Sequence, residues 1–262
     1  MDLSAAGSAT PTRITFVGHS TLVVEDRGVR LLTDPVLRDR TGPLVRERSQ
    51  RGQAAALATA DGSPDAVLIS HLHRDHFDAP SLRELGRDQR LIVPPGGAGL
   101  AQRLRFDRVE ELSVGDSTSV RELTVTATQA VHGGARNVVG AGVKPLGFLI
   151  EGDSRVYFAG DTDLFDEMTD LGRIDVALLP VWGWGTSVGT GHLDPRGAAE
   201  ALALLRPRVA IPIHWGTLHL IGRRRAMRRH LVDPPREFAA YAAREAPGVE
   251  VRVLEPGQSV VV

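Results

Sequence analysis

His71-Leu72-His73-Arg74-Asp75-His76 places four residues with metal-ligand chemistry in six positions, directly after the apolar run Ala66-Val67-Leu68-Ile69. The apolar run reads as a buried strand. A backbone that stays extended past Ser70 sends His71, His73 and Asp75 to one side and turns His76 toward a second position. Neutral imidazole and carboxylate are ligands that zinc and its borderline neighbours accept, and a catalytic site keeps a position open for water. The chain has nine histidines in all, so a surface loop that gathers several of them by chance is the weaker alternative.

Three further segments repeat the design of an apolar run ending at a ligand-type residue beside glycine or a small residue. Leu123-Thr124-Val125-Thr126-Ala127 leads to His132-Gly133-Gly134, Val156-Tyr157-Phe158-Ala159-Gly160 to Asp161-Thr162-Asp163, and Val209-Ala210-Ile211-Pro212-Ile213 to His214-Trp215-Gly216. Strand ends are rigid, their loops converge, and glycine lets backbone approach an ion closely. Seven ligands can then fill two sites: His71, His73 and His132 in one, Asp75, His76 and His214 in the other, with Asp161 reaching both metals.

The spaced signature His71-x-His73-x-Asp75-His76, followed by His132, Asp161 and His214, resembles the metallo-β-lactamase superfamily of metal-dependent hydrolases. The resemblance spans roughly Arg13 to the C-terminus. Phe16-Val17-Gly18-His19-Ser20-Thr21, Leu31-Leu32-Thr33-Asp34-Pro35, Gly191-His192-Leu193-Asp194-Pro195 and Pro212-Ile213-His214-Trp215-Gly216-Thr217 are similar to the branch that holds N-acylphosphatidylethanolamine phospholipase D and ascorbate-6-phosphate lactonase. The superfamily implies an α/β fold, a four-layer αβ/βα sandwich of two sheets face to face with helices outside. It also implies two divalent metal ions, zinc by default with manganese or iron tolerated, and hydrolysis by a metal-bridging hydroxide. Asp75 is expected to be both ligand and orienter of the nucleophile. A closed structural metal site is the alternative, although such sites are usually mononuclear with four protein ligands.

Composition fits an enzyme of this kind. At 262 residues and 42 % apolar content the chain can build a sizeable core. One hydrolase domain over 13–262, after a flexible N-terminus over 1–12, is expected because the ligand motifs run from Asp75 through His214. A formal net charge of −1 offers no global attraction to nucleic acid or anionic membrane. With no cysteine, disulfides, thiolate ligands and cysteine nucleophiles are excluded. No secretory signal is visible at the N-terminus, and no apolar run approaches the ~20 residues of a membrane helix, so cytoplasm is the expected compartment. A homo-oligomer is compatible with all of this.

Strands are expected at 14–17, 22–25, 30–33, 66–69, 91–93, 123–128, 147–151, 155–159, 176–179, 209–213 and 249–254, and helices at 80–85, 98–104, 164–171, 195–205 and 235–245. Arg38–Ala58 reads as a long loop or short helix near the site.

Outside the ligands, His192 lies among Gly189, Gly191 and the helix-starting Asp194-Pro195. An imidazolium there could stabilise an oxyanion or protonate a leaving group, or it could merely cap the helix. Asp34 could hydrogen-bond a ligating imidazole or start a turn before Pro35. His19 could face the cleft or bond backbone. His219 and His230 read as surface or supporting residues. Trp182, Trp184 and Trp215 flank site motifs and could form an aromatic wall for an apolar or ring-shaped substrate, or anchor the core. Arg223-Arg224-Arg225-Ala226-Met227-Arg228-Arg229 carries five arginines in a chain whose only lysine is Lys144. Helical spacing would pair Arg224 with Arg228 as a phosphate clamp, against the alternative of a solvated face.

The leading expectation is hydrolysis of a phosphodiester, small or lipid-like and anionic. Lactone or carboxylic ester hydrolysis on a phosphorylated sugar-like substrate is the second. A nucleic-acid-processing or binding role is the third, and balanced charge makes it the weakest.

Overall fold

Val176–Pro180 and Val209–Ile213 are apolar and buried throughout, as strands in the middle of a parallel sheet must be. Leu123–Gln129 alternates instead, burying Leu123, Val125 and Ala127 while exposing Thr124. Both kinds of strand occur in a computed structural model that describes residues 11–47, 53–60, 62–132 and 144–262.

The N-terminal strands are β1 (Arg13–Gly18), β2 (Thr21–Asp26), β3 (Val29–Thr33), β4 (Arg40–Thr41), β5 (Leu44–Arg46), β6 (Ala66–Leu68), β7 (Leu91–Val93) and β8 (Val109–Glu111). Then come β9 (Ser117–Val120), β10 (Leu123–Gln129), β11 (Leu146–Glu151), β12 (Arg155–Phe158), β13 (Val176–Pro180) and β14 (Val209–Ile213). The last are β15 (Leu218–Leu220), β16 (Glu250–Val251) and β17 (Ser259–Val261). Helices are α1 (Gln53–Thr59), α2 (Ala79–Leu85), α3 (Gly97–Arg103), α4 (Pro195–Leu205) and α5 (Pro234–Glu245).

One seven-stranded sheet runs β17-β1-β2-β3-β6-β7-β8, the other β16-β14-β13-β12-β11-β10-β9, and a small third sheet runs β15-β5-β4. Phe16, Leu31 and Leu68 from the first large sheet and Val125, Phe148, Phe158 and Ile211 from the second form one continuous core between them. On the outer face of the first sheet, Leu32, Val67 and Ile69 pack with Ala54 and Ala58 of α1, Leu82 of α2 and Ala101 of α3. On the outer face of the second, Tyr157 and Ala210 pack with Ala198 and Leu202 of α4 and Phe238 of α5. The four layers of the αβ/βα sandwich are thus defined by three apolar interfaces, each fully buried large side chain contributing ~1.5–3 kcal/mol.

The parallel strands β3 and β6 of one sheet and β12, β13 and β14 of the other end at the same edge of the sandwich, and the ligand motifs follow them. Gly160, just before Asp161, shows how tightly the sheets meet there. Its φ is +61°, and a Cβ would lie 2.7 Å from Ser70 Cβ and 2.9 Å from the Leu146 carbonyl oxygen. Gly160→Ala is expected to destabilise the protein by about 2–3 kcal/mol through strained backbone and overpacking, read as a lower denaturation midpoint at unchanged slope.

Several expected boundaries change. The 164–171 segment is a 3-10 helix over Asp166–Leu171, and 249–254 contributes only β16. Strands β4, β5, β8, β9, β15 and β17 were not expected; most are short or polar, and β5 finds its partner β15 far along the chain. The Arg38–Ala58 segment resolves into the β4–β5 hairpin and most of α1, with 48–52 outside the described residues. Residues 1–10 and Gly133-Gly134 also lie outside them. Thr12, assigned to a flexible N-terminus, is buried; its hydroxyl lies 2.8 Å from Asp26 Oδ2, and its carbonyl accepts from Val262 N at 3.0 Å. No helix among the described residues is long and apolar enough to cross a membrane.

Candidate metal centre

Two clusters of imidazole nitrogens and carboxylates form at the converging strand ends. In the first, His71 Nε2 lies 3.0 Å and His132 Nε2 3.1 Å from His73 Nδ1. In the second, His76 Nε2 and His214 Nε2 face each other at 3.2 Å, with Asp75 Oδ2 at 3.6 and 3.8 Å. Asp161 sits between them: Oδ2 is 4.0 Å from His71 Nε2 and 3.3 Å from His76 Nε2, and Oδ1 is 3.2 Å from His214 Nε2.

Four of these imidazoles, His71, His76, His132 and His214, have partners at their outward nitrogens. His132 Nδ1 donates to the Gly191 carbonyl and His214 Nδ1 to the Trp182 carbonyl, both at 2.8 Å. His76 Nδ1 donates to Asp34 Oδ2 at 2.7 Å, and His71 Nδ1 is 3.0 Å from Ser70 Oγ, which itself donates to Asp34 Oδ2 at 2.6 Å. Donation outward from His71, His132 and His214 fixes their tautomers and leaves their Nε2 lone pairs pointing inward. Asp161 Oδ1 is buried and accepts no hydrogen bond. Inward lone pairs and an orphaned carboxylate oxygen suit shared cations, so this donor set fits divalent metals.

Electrostatics agree. Burial holds the His71, His73 and His132 imidazoles below their ordinary value, with neighbouring imidazolium charge adding to the effect at His71 and His73. Burial opposes ionisation of Asp75 and Asp161 as well, yet the surrounding imidazoles together, His76 foremost for the former and His214 for the latter, outweigh it and keep both carboxyls well below the carboxylate range. His76 is also buried, but Asp161, Asp75 and Asp34 around it push it well above the ordinary imidazole value. Positive charge is therefore favoured among these three carboxylates.

The local fold explains which residue reaches which cluster. The motif does not stay extended: Phe77 N donates to the His73 carbonyl at 2.7 Å, closing a turn. The turn carries Asp75 away from His71 and His73 and sets it beside His76, which corrects the period-two placement. His19 and His214 hold left-handed backbone, at φ +58° and +60°, and are joined by His214 N donating to the His19 carbonyl at 2.8 Å. Strained non-glycine backbone of this kind concentrates at functional sites.

His19 joins the second cluster, its Nε2 3.1 Å from Asp75 Oδ2; burial, then His214, lowers its pKa to about 3. Asp34 bonds His76 as described and also accepts from Ser70 N at 2.7 Å. His192 Nε2 is 3.5 Å from Asp161 Oδ2, while the cap of α4 is Asp194, whose carboxylate accepts from Gly197 N at 2.8 Å. Burial lowers the His192 pKa, but Asp161 outweighs it and the net shift is upward. Trp184 Nε1 donates to Asp75 Oδ2 at 3.0 Å, and the Trp182 ring stacks on His230 with centroids 4.7 Å apart.

Two substrate candidates are displaced. Trp215 is buried among the residues under α4 and α5, stacks on Phe16 at 6.3 Å and donates Nε1 to the Pro212 carbonyl, so it anchors the core and offers no wall over the site. Arg224 does not pair with Arg228 on a helix. Residues 223–230 form successive turns, and Arg224 forks onto Glu47, with Nη2 2.5 Å and Nε 2.9 Å from Oε1. Arg228 is exposed. His219 lies 3.4 Å from the same Glu47. Sequence reading did not single out Ser70, because a serine next to His71 carries no periodic signal.

Two sheets delivering imidazoles and carboxylates to one edge define a metal-dependent hydrolase of the metallo-β-lactamase class. Residues 29–215 match the model of the Beta-lactamase superfamily domain, and the chain belongs to that superfamily. It is 33 % identical over 256 residues to a UPF0173 metal-dependent hydrolase of Methanopyrus kandleri, covering 94 % of this chain and 98 % of that one. A UPF0173 metal-dependent hydrolase of Opitutus terrae is 36 % identical over 261 residues, covering 95 % and 100 %. Among solved structures, Igni18, a metallo hydrolase of Ignicoccus hospitalis, is 28 % identical with a TM-score of 0.73 over 97 % of this chain and 99 % of that one.

Proposed function

We propose that this chain is a binuclear metal-dependent hydrolase acting on a small or lipid-like phosphodiester. The observation that carries the reading is the inward convergence of two donor clusters on either side of Asp161. His71, His73 and His132 would hold one cation, Asp75, His76 and His214 the other, and Asp161 would reach both. When bound, divalent cations at such a site supply Lewis acidity and a water acidified to a pKa of about 7, zinc being the default for this donor set and manganese or iron tolerated.

The protein's own groups orient and move protons. Asp75 is held in place by the indole of Trp184 and the imidazole of His19, and would serve as ligand and as orienter of the attacking water. His192, whose imidazolium is favoured by the Asp161 carboxylate 3.5 Å away, can donate from Nε2 to the leaving oxygen or bond the developing negative charge. Asp34 and Ser70 hold His76 and His71 in register. His230, stacked on Trp182, brings the arginine-rich turn beside the site, and its exposed arginines favour an anionic substrate. The half-buried Trp184 ring, tied directly to Asp75, favours a second reading, hydrolysis of a lactone or ester by the same groups.

The test is hydrolysis of a chromogenic phosphodiester by metal-stripped protein reloaded separately with zinc and with manganese, alongside a lactone and a carboxylic ester. Turnover of the diester is the expected result; turnover confined to the lactone or ester selects the second reading. His192→Gln is expected to lower kcat by roughly a hundredfold at unchanged metal content, the usual size of a lost general acid. Unchanged kcat would assign His192 a purely structural role.

A further inference from the structure

Behind the loop that carries His71 to His76 lies a cavity of about 270 Å³, walled by the β4–β5 hairpin on one side and by α2 and α3 on the other. Leu72, Phe77, Leu100 and Leu104 make its lining predominantly apolar. Leu72 and Arg74 enter it from the same loop that turns His71, His73 and Asp75 toward the metal centre, so the loop separates the two spaces.

The polar groups at the rim are unevenly matched. Asp78 accepts from Arg38 Nε at 2.9 Å and Nη2 at 2.7 Å, from Thr41 Oγ1 at 3.1 Å and from Ser81 N at 3.1 Å, which leaves Arg38 and Asp78 committed to each other. Arg74 is exposed and lies over Gly42, whose Cβ position is 3.9 Å from its Cδ and Nη1. Among the described residues its guanidinium has no hydrogen-bond or ionic partner.

An apolar cavity with one uncompensated guanidinium at its mouth complements a ligand that has one carboxylate and a short apolar body. A dianion would leave one charge unmatched, because Arg38 is already neutralised. At about 30 Å³ per water the volume equals roughly nine waters, the scale of a carboxylate carrying a short hydrocarbon chain. We propose that this cavity is a binding site for a small amphipathic carboxylate, separate from the metal centre.

Calorimetric titration of the 262-residue chain with octanoate, and with octanol as its uncharged counterpart, tests this. Saturable binding of one octanoate is expected, with roughly tenfold or weaker affinity for octanol and for octanoate on Arg74→Gln, the loss of one charge-assisted contact. Leu104→Trp, whose indole would fill the cavity, is expected to abolish binding; should that variant misfold, the octanol and Arg74→Gln comparisons still decide. No saturable heat up to about 10 mM octanoate, below the weak end of small-ligand affinities, overturns the proposal. So does equal affinity across octanol and both variants. Binding that survives Leu104→Trp but disappears on metal stripping would place octanoate at the metal centre and equally overturn it.

Discussion

Asp161→Ala is expected to cost the protein both cations and roughly a thousandfold or more of its turnover. Asp161 touches both clusters: its Oδ2 lies 4.0 Å from His71 Nε2 and 3.3 Å from His76 Nε2, and its Oδ1 3.2 Å from His214 Nε2. It is buried, and removing it leaves positive charge at His76 with less compensation. Elemental analysis after dialysis against trace metal reads the result directly. A variant that keeps two tightly bound ions per chain would refute the shared role of Asp161. Asp161→Asn separates charge from shape: it preserves volume and is expected to lose metal almost as completely.

Asp75→Ala is expected to be nearly as damaging to turnover, again by roughly a thousandfold, but with an unequal effect on metal content. Asp75 belongs to the second cluster, so the site of His71, His73 and His132 keeps its ion while the other is emptied. The substitution also removes the acceptor for His19 Nε2 and Trp184 Nε1, leaving the buried His19 donor unsatisfied at about 1–3 kcal/mol and the half-buried Trp184 indole without its partner. One ion per chain, a lowered denaturation midpoint and near-zero turnover is the predicted combination. Two ions per chain would mean that the turn after His73 does not assign Asp75 to the second site.

These expectations begin from residues visible in the sequence. The layered α/β architecture was legible because parallel strands such as Val209–Ile213 are apolar at every position, while antiparallel strands such as Leu123–Gln129 alternate. Histidine and aspartate at the ends of such runs stood out because few other residues bind metal there. Helix α4 was legible to the residue from Asp194-Pro195 at its start. The small third sheet was not, since β5 and β15 are three residues each and pair across a long stretch of chain.

What the sequence alone determined was which residues with donor chemistry stand at the ends of apolar runs, a matter of residue type and local period, while the four-layer fold that gathers them followed from the resemblance of those spaced motifs to the superfamily. Only the tertiary structure decided the geometry by which those donors meet. The turn from His73 to Phe77, not an extended backbone, sets Asp75 beside His76, and a left-handed backbone brings His19 to the same cluster from the β1–β2 connection. Burial against Phe16 made Trp215 a core residue, and Glu47 claimed Arg224. Each of these outcomes depends on a contact between chain segments or on a single backbone dihedral, and neither leaves a periodic trace in the order of the amino acids.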